Sequence, residues 1–176
     1  MNIRRLHAPT PTELEALTDV LQDCVEGGAS VNFMLPVERS KLRGFWHKVA
    51  EGVAQGERAL LVAEDEHGIA GTVQLVLAQP DNQPHRADLA KMLVHRRARR
   101  QGMGDALMKA AEQTALACGK TLLVLDTASE EAERLYERHG WVRLGSIPDY
   151  ALWPQGGWCP ASIYYRHLAP PGSQLA

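Results

Sequence analysis

The sequence predicts a single three-layer α/β domain around a mixed central sheet. Three observations carry that expectation. Apolar residues alternate between helical spacing and short continuous runs, the second half contains a strand-helix-strand unit, and 176 residues with 45% hydrophobic content suffice for one core rather than two. The order of elements along the chain reads βααβββαβαββ.

Residues 2–7 read as a first strand, after which Pro9, Thr10 and Pro11 open a helical pattern with Leu14, Leu17, Val20, Leu21 and Val25 on one face. Gly27 and Gly28 end it. Residues 29–36 read as irregular, and residues 37–55 carry Leu42, Phe45, Trp46, Val49 and Val53 at helical spacing before Gly56. Apolar runs at 58–64 and 69–78 flank Asp65-Glu66-His67-Gly68, which predicts an antiparallel hairpin. A Pro-, Asp- and Asn-containing loop leads to a strand at 86–95, whose Leu89, Leu93 and Val94 suit burial. A helix at 102–118 closes on Gly119. A strand at 121–126 follows, then a short helix at 129–139 with Ala132, Leu135 and Tyr136 inward, and a strand at 141–147. A long loop precedes the last strand at 162–168. With no internal repeat and no linker, residues 1–168 form one domain, and the proline-containing tail 169–176 reads as disordered.

Lys+Arg 19 against Asp+Glu 21 gives a net charge of -2, so the molecule as a whole has no reason to seek nucleic acid or an anionic membrane. No stretch approaches about 18 consecutive apolar residues, and residues 1–10 lack the apolar segment of an export signal. Cys24, Cys118 and Cys159 are odd in number and share no C-x-x-C spacing, which fits a reducing, cytoplasmic compartment. The seven histidines show no metal-ligand spacing, and no metal is expected.

The chemistry concentrates in one segment. His95, Arg96, Arg97, Arg99 and Arg100 precede Gln101, Gly102, Met103 and Gly104, so a basic loop with small residues runs into a helix N-terminus. Free N–H groups of a first helical turn and the positive end of its dipole favour a phosphate anion there. Glycines let that anion approach the backbone, and arginines add bidentate donors. A charge run is by default a solvated surface, but this one is confined to a single strand-to-helix turn and carries no interleaved aromatics of a nucleic-acid site. Leu107 stands where a dinucleotide fingerprint requires its third glycine, and the ending of a P-loop is absent.

Arg99-x-x-Gly102-x-Gly104, after a strand and opening a helix, resembles the signature of the GNAT acetyltransferases. The strand at 121–126 followed by Ala132, Leu135, Tyr136 and Gly140-Trp141 resembles that family's second signature. Gly27-Gly28-Ala29-Ser30-Val31, Lys91-Met92-Leu93-Val94 and Ile147-Pro148-Asp149-Tyr150 look like its tabtoxin resistance branch. The resemblance covers nearly the whole chain and implies a three-layer GNAT fold with acetyl-coenzyme A as cosubstrate. Arg99, Arg100, Gln101, Gly102, Met103, Gly104 and Asp105 would wrap its pyrophosphate, and backbone groups of Met92, Leu93 and Val94 would pair with the pantetheine arm. Ser129 stands where many relatives have an asparagine near the cofactor.

A thioester is already reactive, so the catalyst must chiefly position a neutral nucleophile, stabilise the oxyanion and protonate the departing thiolate. The resemblance places Tyr136 beside the sulfur as general acid; its plainer reading is a core aromatic. Asp126, closing a buried strand, and Asp88, near the start of the cofactor-lining strand, compete as general base, although an Asp at a strand end is as often a cap. Asp126 is favoured.

The resemblance puts the acceptor side at the irregular segment, where Ser30, Asn32, Phe33 and Met34 would line it. Trp153 and Trp158, near Gly156-Gly157, would face it as a mobile aromatic wall, or else anchor the loop. No dense acidic cluster marks a polyamine site and no long peptide groove is evident, so a compact, amino-acid-like acceptor is expected, with a toxin or antimetabolite implied by the branch. Competing readings are a protein N-terminal or lysine acetyltransferase, a non-catalytic acyl-coenzyme A sensor and, last, a nucleic-acid binder. Monomer and homodimer are both compatible with the sequence.

Overall fold

A computed structural model describes residues 1–168; the expected disordered tail lies outside the described residues. β1 (Asn2–Leu6), β2 (Arg58–Asp65), β3 (Gly68–Val76), β4 (Arg86–Val94), β5 (Leu122–Thr127), β6 (Val142–Leu152) and β7 (Trp158–His167) form one sheet in the order β1-β2-β3-β4-β5-β7-β6. Every neighbouring pair is antiparallel except β4 with β5. The four helices are α1 (Pro11–Glu26), α2 (Arg39–Ala54), α3 (Met103–Ala117) and α4 (Glu130–Arg138). A single 3-10 turn at Arg96–Ala98 joins β4 to α3.

The three expected layers follow from the alternation of side chains along the strands. Leu60, Val62, Ile69 and Leu93 pack with Leu17, Leu21, Leu42 and Trp46 of α1 and α2. On the opposite face Leu61, Val73, Leu75 and Leu123 pack with Leu107, Met108 and Ala111 of α3 and with Tyr136 of α4. The helical start predicted near Thr10 is a full capping box: the Thr10 hydroxyl accepts from the Glu13 N–H at 3.3 Å, and the Glu13 carboxylate accepts from the Thr10 N–H at 2.7 Å.

β3 and α3 meet closely at Gly71. A methyl group there would lie 2.9 Å from the Met103 sulfur, 3.0 Å from Leu107 Cδ1 and 3.2 Å from the Leu93 carbonyl oxygen. Gly71→Ala is therefore expected to destabilise the fold by about 1–3 kcal/mol, read as a lower midpoint in urea with an unchanged slope.

The last two strands differ from expectation. β6 continues to Leu152 and β7 begins at Trp158, so most of what reads as a long loop is hairpin. The register is irregular between Ile147 and Ala151, around Pro148 and with Asp149 at φ 53. β6 is the last strand of the sheet, where a missing N–H and a local bulge are tolerated.

The feature that makes the site is the unequal pairing of β4. Its parallel partnership with β5 covers only Arg86 to Asp88 against Leu122 to Val124, and then the two strands separate. Beyond Asp88, β4 has a strand partner only in β3. A bulge at Lys91, which adopts φ 51, shifts the β3–β4 register at the same point. A wedge thus opens in the middle of the sheet, directly before the basic loop.

Candidate active site

The wedge widens into a cleft of about 1400 Å³ that runs from the N-terminus of α3 to the connection between α1 and α2. At the α3 end, Arg100 and Gly102 both adopt left-handed conformations, with φ 59 and φ 79. No side chain caps α3, whose N-cap is Gly102. The two glycines serve different purposes. A Cβ at Gly102 would meet nothing, so that residue is needed for its backbone conformation; a Cβ at Gly104 would lie 3.3 Å from Leu135 of α4, so that one permits close helix packing.

The arginines, indistinguishable by charge, separate by partner. Arg96 is held by Asp23 at 2.8 Å and Arg97 by Asp65 at 3.1 Å. Arg99 turns back to donate to the Val94 carbonyl at 3.1 Å, so it braces the loop, and that carbonyl, expected to serve the pantetheine arm, is already engaged. Arg100 alone of them has no side-chain partner among the described residues. Asp105 lines the cleft but ties α3 to α4, accepting from Arg138 at 3.2 Å and lying 3.0 Å from His139. Gln101 lies outside the cleft lining and donates to the Arg97 carbonyl. Ser129 lines the cleft as the N-cap of α4, accepting from the Ala132 N–H at 3.3 Å.

Tyr136 lies where the wedge meets α4, 4% exposed, its ring packed on Trp141 and Tyr164 with centroids 5.7 and 5.9 Å apart. It is the core aromatic of the plainer reading, and it also lines the cleft. Burial, reinforced by the negative charge of Asp126, pushes its phenol far above the ordinary tyrosine range and keeps it protonated. Asp126 lines the cleft near the end of β5, exposed and without a side-chain partner among the described residues. Asp88 sits at the closed end of the wedge, off the cleft, where it accepts from Arg86 at 2.6 Å and Gln79 at 3.3 Å. The structure thus brings Asp126, and not Asp88, to the open site.

On the side where the acceptor is expected, Ser30, Asn32 and Trp153 line the cleft. The Ser30 hydroxyl donates to the Leu152 carbonyl at 3.2 Å, and the Leu35 N–H donates to the Pro154 carbonyl at 2.8 Å, so the α1–α2 connection is fastened to the β6–β7 turn. Phe33 instead enters the core, edge-on to Phe45, while Met34 and Trp158 are exposed and do not line the cleft. The expected aromatic wall is therefore Trp153 with Tyr150, not Trp153 with Trp158. Among the lining residues to which the sequence alone assigns no role in the site are Cys24 and Lys91, the latter placed by the bulge. Burial raises the Cys24 thiol above its usual range and makes it a poor nucleophile. Among the described residues no group of three or more His, Cys, Asp or Glu could hold a metal ion, and no helix is long and apolar enough to cross a membrane.

An uncapped helix N-terminus behind a left-handed glycine, an unpaired arginine and a wedge with one-sided strand pairing fit a pyrophosphate and an extended arm. Fold and site together define an acyltransferase dependent on acyl-coenzyme A. The acetyltransferase (GNAT) domain matches residues 56–143, half of the chain, and the protein belongs to that family. Acetyl-coenzyme A is its cosubstrate. An N-acetyltransferase from the hisH-hisA intergenic region of Azospirillum brasilense is 28% identical over 168 residues, covering 93% of this chain and 98% of its own. A phosphinothricin acetyltransferase from Sinorhizobium meliloti, solved in complex with acetyl-CoA, superposes with a TM-score of 0.80 at 16% identity, over 99% of this chain and 91% of that one. An N-acetyltransferase from Staphylococcus aureus Mu50 gives a TM-score of 0.78 at 16% identity, over 96% of this chain and all of that one. At such identities the two structures speak to the fold.

The partners of the arginines lead to a prediction. Arg100→Gln is expected to raise the KM for acetyl-coenzyme A about tenfold by removing a free, exposed donor. Arg97→Gln should leave that KM within about twofold, because Arg97 is already held by Asp65 and the Ile69 carbonyl. Initial rates at varied acetyl-coenzyme A check both.

Proposed function

We propose that the protein acetylates the amine, or alternatively a hydroxyl, of a small amino-acid-like molecule by direct attack, with Asp126 as base and Tyr136 as acid. The observation that carries this reading is the pairing of an unpartnered carboxylate with a phenol held protonated, both on the cleft where the wedge opens. Acetyl-coenzyme A supplies the acyl group as a thioester. Asp126 takes the proton that an acceptor ammonium must lose before its nitrogen can attack the carbonyl carbon. As the carbon–sulfur bond breaks, Tyr136 delivers its proton to the departing sulfur, and its phenolate regains a proton from the nitrogen, which sheds its second proton as the amide forms. Arg100 and the first turn of α3 hold the phosphates, and the fastened α1–α2 connection keeps the acceptor side compact.

A compact acceptor side favours a small molecule over a protein chain, which needs an open groove beside the thioester. Toxins and antimetabolites of amino-acid type suit such a pocket. The likeness to the tabtoxin resistance branch and the fold shared with a phosphinothricin acetyltransferase support that choice. The test is free-thiol release from acetyl-coenzyme A across amino acids, amino-acid-like toxins, simple amines and a peptide. Release with the small acceptors is expected; release with the peptide alone would overturn the reading.

A further inference from the structure

Six cationic side chains line the cleft: Lys91, Arg99, Arg100, Arg134, Arg138 and Arg143. Arg99 is spent on the Val94 carbonyl, Arg134 on Glu130, Arg138 on Asp105, and Arg143 on Ser162 and Glu133. Of these six, only Arg100 and Lys91 have side chains with neither a hydrogen bond nor an ion pair to another described residue. Arg100 stands at the phosphate end, so its free charge is accounted for. Lys91 lines the cleft from the middle of β4, on the α2 side of the sheet, and nothing in the reaction described above uses it.

Its placement is specific. Lys91 occupies the β4 bulge with φ 51, a left-handed backbone that a side-chain-bearing residue rarely adopts. Its ammonium lies 5.6 Å from the centroid of the Phe45 ring in α2 and so looks toward the acceptor layer, not toward α3. The charged groups that it senses are Asp126 across the wedge, which favours its charge, and Arg58 of β2, which opposes it. Arg58 is itself engaged with Gln74 at 3.1 Å. Asp126 and Lys91 form no ion pair with each other, although each is unpartnered and both face one space. A cation and an anion held apart on one cleft match the two ends of a zwitterion.

We propose that Lys91 is the acceptor-recognition residue for an acid group, so that the acceptor is an α-amino acid or close analogue bound with its ammonium at Asp126 and its carboxylate at Lys91. The proposal rests on the small-molecule reading above and narrows it to acceptors that carry both groups. Burial of Lys91 lowers its pKa, so an unpaired ammonium is costly there, and a bound carboxylate relieves that cost. Simple amines lack the partner that Lys91 requires.

The experiment compares the twenty amino acids with their α-carboxamides, measured as acceptor-dependent thiol release by the wild-type enzyme, Lys91→Met and Lys91→Arg. Each amide keeps the amine and the side chain and loses only the negative charge. The wild type is expected to favour the acid member of each productive pair at least about tenfold in kcat/KM. Lys91→Met should reduce that ratio to about one with an unchanged KM for acetyl-coenzyme A, and Lys91→Arg should retain much of it. The wild-type comparison needs no variant, so a poorly folding Lys91→Met does not blunt the test. Amides or simple amines acetylated as readily as the acids would remove the role of Lys91 while leaving small-molecule acetyl transfer standing. A ratio that survives in Lys91→Met would likewise overturn it. Transfer to peptides alone would instead overturn the small-molecule reading itself.

Discussion

Tyr136→Phe is expected to lower kcat about a hundredfold while leaving the KM for acetyl-coenzyme A and the melting temperature nearly unchanged. The phenol oxygen has no hydrogen-bond partner among the described residues, so its removal orphans nothing, and the ring keeps its contacts with Trp141 and Tyr164. The expected loss is confined to proton donation. A leaving group of low basicity needs that proton less, so the deficit of the mutant should shrink with acyl donors whose thiol is more acidic. Stopped-flow or steady-state rates with a graded series of acetyl thioesters check this. A mutant with full turnover would return Tyr136 to a packing role.

Asp126→Asn is expected to cost about a hundredfold in kcat/KM for an amine acceptor at neutral pH, because the amide cannot take the ammonium proton. Asp126 is exposed and unpartnered, so the change should not disturb folding. The parallel substitution Asp88→Asn provides the contrast. Asp88 is bound by Arg86 and Gln79 away from the cleft, and its loss should lower stability more than turnover. The pair of variants, assayed for rate and for unfolding midpoint, separates the two carboxylates that the sequence alone leaves in competition. Equal catalytic losses would undo the assignment of Asp126.

Much of the fold was legible because its determinants are local. The capping box at Thr10, the apolar stripes of α1, α2 and α3 and the turn at Asp65 to Gly68 each depend on residues a few positions apart. The conformation of the expected phosphate loop was legible for the same reason, since Arg100 and Gly102 belong to one strand-to-helix turn, whereas the packing of Gly104 on Leu135 of α4 was not. Three features were not local. The continuation of β6 past Pro148 depends on its place at the sheet edge, which is a property of topology. Which arginine stays free depends on Asp23 and Asp65, carboxylates brought in from α1 and the β2–β3 hairpin. Lys91 reads as one more residue of a buried strand, and only the bulge and the separation of β4 from β5 place it on the cleft beside Phe45 of α2.

The same geometry argues against a covalent acetyl-enzyme. Cys24 and Cys159 both line the cleft and both are buried; burial holds the Cys24 thiol protonated, and attack on a thioester requires the thiolate. The most direct test is therefore initial-rate kinetics with acetyl-coenzyme A and an amino-acid acceptor both varied, followed by intact mass of the enzyme after incubation with acetyl-coenzyme A alone. Direct transfer in one cleft predicts intersecting double-reciprocal lines and an unmodified protein mass. Parallel lines together with an acetylated protein would contradict it and move the chemistry to a nucleophile of the enzyme.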